Sequence, residues 1–169
     1  MKDPAIARAL AAEDARGLLA IAAEAARHLD RSGVFFVLLH FQEVAEVDFR
    51  ERVESACIGM VGGRPAVYLG KRFVEEFVDT PADLLHLLLH ELMHSLRGDL
   101  WRPRPTGIDE CAWPLLRNLA ADMLVNADLE HTVLGTTPGY FGNLYSRMEF
   151  PGNLLIPPCQ LLALPRAIA

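Results

Sequence analysis

The sequence predicts an α+β fold: one buried helix, a second long helix beside it, and a small β-hairpin. Three observations predict it. The chain has 169 residues, 51% of them hydrophobic, which is the length of one domain and enough apolar material for one core. Between Thr80 and Gly98 lies a leucine-rich segment with a helix start signal at one end and a stop signal at the other. Upstream, two short apolar runs flank Val61-Gly62-Gly63-Arg64-Pro65, the pattern of two strands joined by a glycine-containing loop.

Taken in order, Ala5 to Leu29 is rich in alanine and leucine with interspersed charges and is followed by Gly33, which predicts an amphipathic helix. Val34-Phe35-Phe36-Val37-Leu38-Leu39 fits either a buried strand or the core of a helix, because a short apolar run has no diagnostic period. Ala56 to Met60 and Ala66 to Leu69 are the expected strands, and Arg72 to Phe77 a short helix. Thr80 as N-cap, Pro81 at the first helical position, Asp83 as the acidic third residue and Gly98 as the stop define a helix over Pro81–Arg97. Its leucines cover most of the circumference, so it should be a central, largely buried helix. A loop with Pro103 and Pro105 leads to a helix over Pro114–Leu134, closed by Gly135. Residues 135–169 carry Pro138, Pro151, Pro157, Pro158 and Pro165 and are expected to wrap irregularly around a single domain spanning 1–169.

Sixteen Lys+Arg against 22 Asp+Glu give a net charge of −6, which disfavours a nucleic-acid or anionic-membrane partner. The apolar stretch Leu84 to Leu96 is interrupted by His86, His90, Glu91 and His94, so no membrane span is expected. No secretory signal is visible at the start, and Cys57, Cys111 and Cys159 form no CxxC pair. A reducing compartment fits best, with the cytoplasm as the expected location and the cysteines as buried small residues.

Within the leucine-rich helix stands His90-Glu91-Leu92-Met93-His94, an HExxH pattern. Residues four apart differ by only ~40° around a helix axis, so both imidazoles point the same way and can share one ion. Neutral imidazole suits Zn²⁺, and Glu91, about 60° round from His94, can reach a water on that ion without ligating it. Two histidines and a glutamate in a buried helix are costly unless paired or ligated. His86 shares the face but is ~12 Å of helix rise from His94, too far to ligate the same ion, and is expected to be a core histidine.

A catalytic zinc site needs a third protein ligand. The metzincin extension HExxHxxGxxH fails, because the positions that need glycine and histidine hold Arg97 and Leu100. The aspzincin segment fails too, because Pro138 stands where its aspartate belongs. In gluzincins the third ligand lies on a following helix, with an acidic residue four positions later that orients the first histidine; the corresponding feature here is an acid with a polar partner at i+4. Asp122 with Asn126 fits that search, in a stripe Asn118, Asp122 and Asn126 on a mostly apolar helix. Glu110 and Glu130 are weaker candidates, and His131 is the fallback if the third ligand is a histidine. Asp99, directly after the glycine, reads as a turn former, with a ligand supplied by the loop as the other reading. Arg97, Arg102 and Arg104 with Trp101 read as a solvated basic loop beside the site, with receipt of a substrate carboxylate as the other possibility.

Taken together, Gly63-Arg64-Pro65-Ala66-Val67-Tyr68-Leu69 with Phe73, Leu89 to His94, and the N-x-A-x-D-x-x-x-N run from Asn118 to Asn126 resemble the VWA-like metallopeptidase family over about Ala56 to Asn126. Two departures stand out. Gly98-Asp99 replaces a frequent Gly-His pair, and from these 169 residues no C-terminal VWA-like domain, with its adhesion-type function, is expected. The resemblance implies a zincin-like domain that binds Zn²⁺. On this reading His90, His94 and Asp122 hold zinc and leave a position for water whose pKa falls toward ~7. Glu91 is the general base, and Asn126 hydrogen-bonds His90 or the ligating carboxylate. The expected reaction is hydrolysis of a peptide or protein substrate. Arg97, Arg102, His131, Tyr140 and Tyr145 are all donor types that an oxyanion would accept. The alternative is a non-catalytic zinc-binding interaction module that keeps the fold.

Overall fold

The computed structural model describes residues 1–29, 34–103, 105–107, 109–110, 112–134 and 139–145. Their elements are α1 (Pro4–Ala11), α2 (Ala15–Arg27), α3 (Val34–Glu43), β1 (Glu46–Phe49), β2 (Ala56–Val61), β3 (Arg64–Leu69), α4 (Lys71–Phe77), α5 (Pro81–Leu96), α6 (Trp113–Asp128) and α7 (Gly139–Tyr145). A 3₁₀ turn, Asp99–Trp101, follows α5, and a π-helical turn, Leu129–Val133, extends α6. The arrangement is α+β, as expected.

Where the sequence suggests one N-terminal helix there are two. Asp3 caps α1, accepting from Ala5 N at 2.7 Å, and Asp14 caps α2, accepting from Gly17 N at 2.7 Å. Between them Glu13 takes φ 52°, a left-handed conformation that interrupts the helix. The undecided segment after Gly33 is helical, as α3. Gly33 itself lies outside the described residues.

The expected hairpin is β2–β3. Gly62 and Gly63 occupy its two turn positions with φ 58° and 78°, the left-handed pair that a two-residue turn matched to strand twist requires. The sequence reading did not include β1, which pairs parallel with β3 and makes the sheet order β1-β3-β2. Arg64 anchors the end of α3 to this sheet by donating to the Glu43 and Gln42 carbonyls at 3.0 Å each. Gly70 donates to Ser55 O at 2.7 Å, and a side chain there would meet the Val53 carbonyl oxygen at 2.4 Å. Only glycine lets residues 53–55, which lead into β2, lie this close to the start of α4.

At the centre, α5 carries the predicted capping box. Thr80 Oγ1 accepts from Asp83 N at 3.1 Å, and Asp83 Oδ2 accepts from Thr80 N at 3.1 Å. Asp83 Oδ1 also accepts from Gly139 N at 2.9 Å, which ties α7 to the start of α5. Leu84, Leu85, Leu87, Leu88, Leu89 and Leu92 are buried, in one core with Leu18 and Ala22 of α2, Val67 and Leu69 of β3, Val125 of α6 and Phe141 of α7. Gly98, at φ 70°, ends the helix as expected.

Two expectations are corrected here. The helix α6 is less of a core helix than its composition suggests: Ala121, Val125 and Asn126 are buried, while Leu115, Leu116 and Leu124 are exposed. Residues 139–145 form α7 rather than an irregular stretch. Gly135, Pro138 and residues 146–169 of the proposed wrapping segment lie outside the described residues, as do Arg104, Cys111 and Cys159. Among the described residues, no helix is long and apolar enough to cross a membrane.

Candidate metal centre

The four-residue spacing on α5 brings the two imidazoles together, with Nε2 of His90 and Nε2 of His94 only 3.1 Å apart. From the facing helix α6, Oδ1 of Asp122 comes within 3.0 Å of His94 Nε2 and 3.5 Å of His90 Nε2. Four ligands at ~2.0–2.1 Å from a tetrahedral ion are separated from one another by about 3.3 Å. The three edges observed match that separation. The group His90, His94 and Asp122 is therefore able to hold a metal ion.

Hydrogen bonding behind the rings makes the same point. His90 Nδ1 lies 2.8 Å from Asn126 Oδ1, and His94 Nδ1 lies 3.2 Å from Asp99 Oδ2. In each pair the ring nitrogen donates to an oxygen, which leaves the lone pair of a neutral imidazole on Nε2. Two nitrogen lone pairs and a carboxylate oxygen then converge on one point, and only a cation or a proton relieves that convergence. Accordingly, although burial acts to raise the Asp122 carboxyl, hydrogen bonds to His90 and His94 and their charge outweigh it and hold it down at about 2. For His94, burial acts downward, but Asp122, Glu91 and Asp99 together push the imidazole above its ordinary value.

Asp99 opens the 3₁₀ turn after Gly98, as its reading as a turn former expects, but its side chain does more than form a turn. Its carboxylate is 5% exposed, accepts from His94 and from Arg102 Nε at 2.9 Å, and lies 3.7 Å from Arg97 Nε. Arg97 also bonds Asp128. These two arginines are thus engaged with carboxylates rather than forming a free basic patch, while Trp101 is exposed. A sequence signal for Asp99 existed: an acid just past the helix-ending glycine, one turn beyond His94, is in reach of that ring.

Glu91 is 8% exposed and faces the same cleft; burial pushes its carboxyl up, against the lowering influence of His90 and His94. The cleft has a volume of about 610 Å³. Its walls come from β2 (Ala56, Cys57, Ile58), α6 and Tyr140 of α7. Because β2 pairs only with β3, its other edge is unpaired among the described residues. Cys57, expected to be buried, is exposed in this wall; partial burial and the nearby Glu91 push its thiol up, so it stays protonated near neutral pH.

The weaker ligand candidates do not join the group. Glu110 and His131 are exposed and Glu130 sits in the π-helical turn. Of the donors proposed for an oxyanion, Tyr140 lines the cleft. Its hydroxyl is 3.1 Å from His86 Nδ1, and the His86 ring packs edge-on to Tyr140 and Phe141. His86 is the core histidine expected, and burial followed by the charge of His90 pushes it down to about 3. The Tyr145 side chain lies outside the described residues. No family model matches the chain, and neither a curated protein nor a solved structure is detectably similar to it.

Proposed function

We propose that this protein is a zincin-like, zinc-dependent peptidase acting on peptide or protein substrates in the cytoplasm. The observation that carries the reading is Glu91, an acid of raised proton affinity, in one cleft with a two-histidine, one-carboxylate group whose donor atoms are spaced for a tetrahedral ion. The motif resemblance to VWA-like metallopeptidases supports it.

His90, His94 and Asp122 would hold the ion, and their nitrogen and oxygen donors suit zinc. Bound there, zinc supplies Lewis acidity that lowers the pKa of a water toward ~7 and polarises a carbonyl. Glu91 takes a proton from the attacking water as its oxygen bonds to the amide carbon, then gives a proton to the nitrogen as the C–N bond breaks. Burial that raises the Glu91 carboxyl suits it to both transfers. Asn126 and Asp99 keep the Nε2 lone pairs aimed at the ion by accepting from the far side of each ring. Tyr140 is the donor for the oxyanion, held by His86. The unpaired edge of β2 offers backbone groups to an extended peptide.

The test is zinc stoichiometry of the purified protein, followed by cleavage of a peptide library by wild type and Glu91→Gln. One equivalent of zinc is expected in both, with the rate falling about 10²–10⁴-fold in the variant. Stoichiometric zinc with no cleavage by either form would replace the peptidase with a non-catalytic zinc-binding module. Absence of bound zinc would overturn both.

A further inference from the structure

The cleft contains a cation that the chemistry above does not use. On α6, Arg117 lies one turn before Ala121 as Asn118 lies one turn before Asp122, and helix geometry sets these pairs in adjacent rows. All four line the cleft. The Arg117 side chain is half-buried, and no carboxylate or carbonyl among the described residues engages it. Its neighbours near the site differ, because Arg97 and Arg102 are held by Asp99 and Asp128. The acids closest to the chemistry do not compete for it either: Asp122 belongs to the histidine group and Asp99 to His94 and Arg102.

A guanidinium is a planar fork of donors that matches a carboxylate with two parallel bonds. Along the axis of α6, Arg117 and Asp122 are five residues apart, about 7.5 Å at 1.5 Å per residue. An extended peptide advances ~3.3 Å per residue. For a peptide running along α6, that distance is about two residues, so a carboxylate held by Arg117 sits about two residues along from a bond positioned at the histidine group.

We propose that Arg117 is the substrate-anchoring residue of this cleft, binding a peptide carboxylate about two residues from the bond that is cut. That carboxylate is either the chain terminus or an acidic side chain. The inference rests on the peptidase reading and narrows its substrate class.

The experiment starts from a library peptide that the zinc-loaded protein cleaves and compares three matched forms: a neutral peptide ending in a free carboxylate about two residues from the cut bond, its C-terminal amide, and the amide with a glutamate placed about two residues from the cut bond. Wild type should prefer a carboxylate-bearing form over the neutral amide by about 10- to 100-fold in kcat/KM, mostly through KM, the worth of a charge-assisted bidentate contact. Preference for the first form assigns the terminus, and preference for the third the side chain. Arg117→Gln should remove the preference and leave the neutral amide unchanged, with Arg117→Lys retaining part of it. Equal cleavage of all three by wild type, or an equal loss on all three in Arg117→Gln, overturns the proposal. If wild type cleaves nothing, the peptidase reading falls and calorimetry decides Arg117 separately. Binding of N-acetyl-leucine but not its amide, lost in Arg117→Gln, keeps the carboxylate site; any other result removes it.

Discussion

Nδ1 of His94 lies 3.2 Å from Oδ2 of Asp99, a carboxylate held at 5% exposure in the 3₁₀ turn that follows α5. The turn at Gly98 brings the chain back over the last turn of the helix, so that an acid next in sequence to a loop glycine orients a ring inside the cleft. Asp99→Ala should weaken zinc affinity about 10- to 100-fold, the usual cost of losing a partner behind a ligating histidine. Competition with a chelator of known affinity measures it, and an unchanged constant would reduce Asp99 to a surface contact.

Asp122→Ala should have a larger effect, because it removes a donor atom rather than an orienting one. Stoichiometric zinc is expected to disappear at micromolar protein, while Asn126→Ala keeps zinc with affinity weakened about tenfold or more. Glu130→Gln and His131→Ala serve as comparisons that should bind normally. Metal analysis after dialysis decides it, and zinc retained in Asp122→Ala would reject this carboxylate as the third ligand.

His86 gives a pH dependence of stability. Its imidazole is pushed from 6.5 to about 3 in the folded protein, so below about pH 6.5 the unfolded chain takes up a proton that the folded one refuses. The unfolded state then binds more protons, and stability falls as the pH falls toward about 3, by up to about 1.4 kcal/mol per pH unit from this group. Urea unfolding of the zinc-free protein between pH 7 and 4 should therefore show a steeper acid loss in wild type than in His86→Leu. Parallel curves would mean that His86 titrates freely in the folded state.

Gly70→Ala tests the approach of residues 53–55 to the start of α4. A Cβ at Gly70 would meet the Val53 and Glu54 carbonyl oxygens at 2.4 and 2.8 Å, backbone atoms that can move only by shifting the strand entry. A loss of about 2 kcal/mol or more is expected from urea unfolding. Because this segment leads into the β2 wall of the cleft, a loss within the ordinary surface range of about ±0.5 kcal/mol would show that the wall is not held there.

Much of the candidate site was legible because the information is local. A four-residue spacing within a helix puts His90 and His94 on one face whatever the helix packs against, and Thr80, Asp83 and Gly98 mark its ends through short-range hydrogen bonds and backbone angle. The polar row Asn118, Asp122 and Asn126 was visible by the same period. Less legible were features that compete locally. The Ala5–Leu29 stretch has one helical pattern but two aspartate caps, and the caps divide it. The strand Glu46–Phe49 is short and takes its identity from pairing with β3, some twenty residues away.

By itself the sequence determined the central helix, its two histidines and Glu91, the glycine turn of the hairpin, and a polar row on a later helix, because each depends on contacts within a few residues. Tertiary structure alone decided that α6 lies where Asp122 meets both Nε2 atoms, that Asn126 takes His90 while Asp99 takes His94, and that Tyr140 and Arg117 line the cleft with Glu91. These relationships join residues from separate elements, and they follow from how apolar faces pack, which no local period encodes.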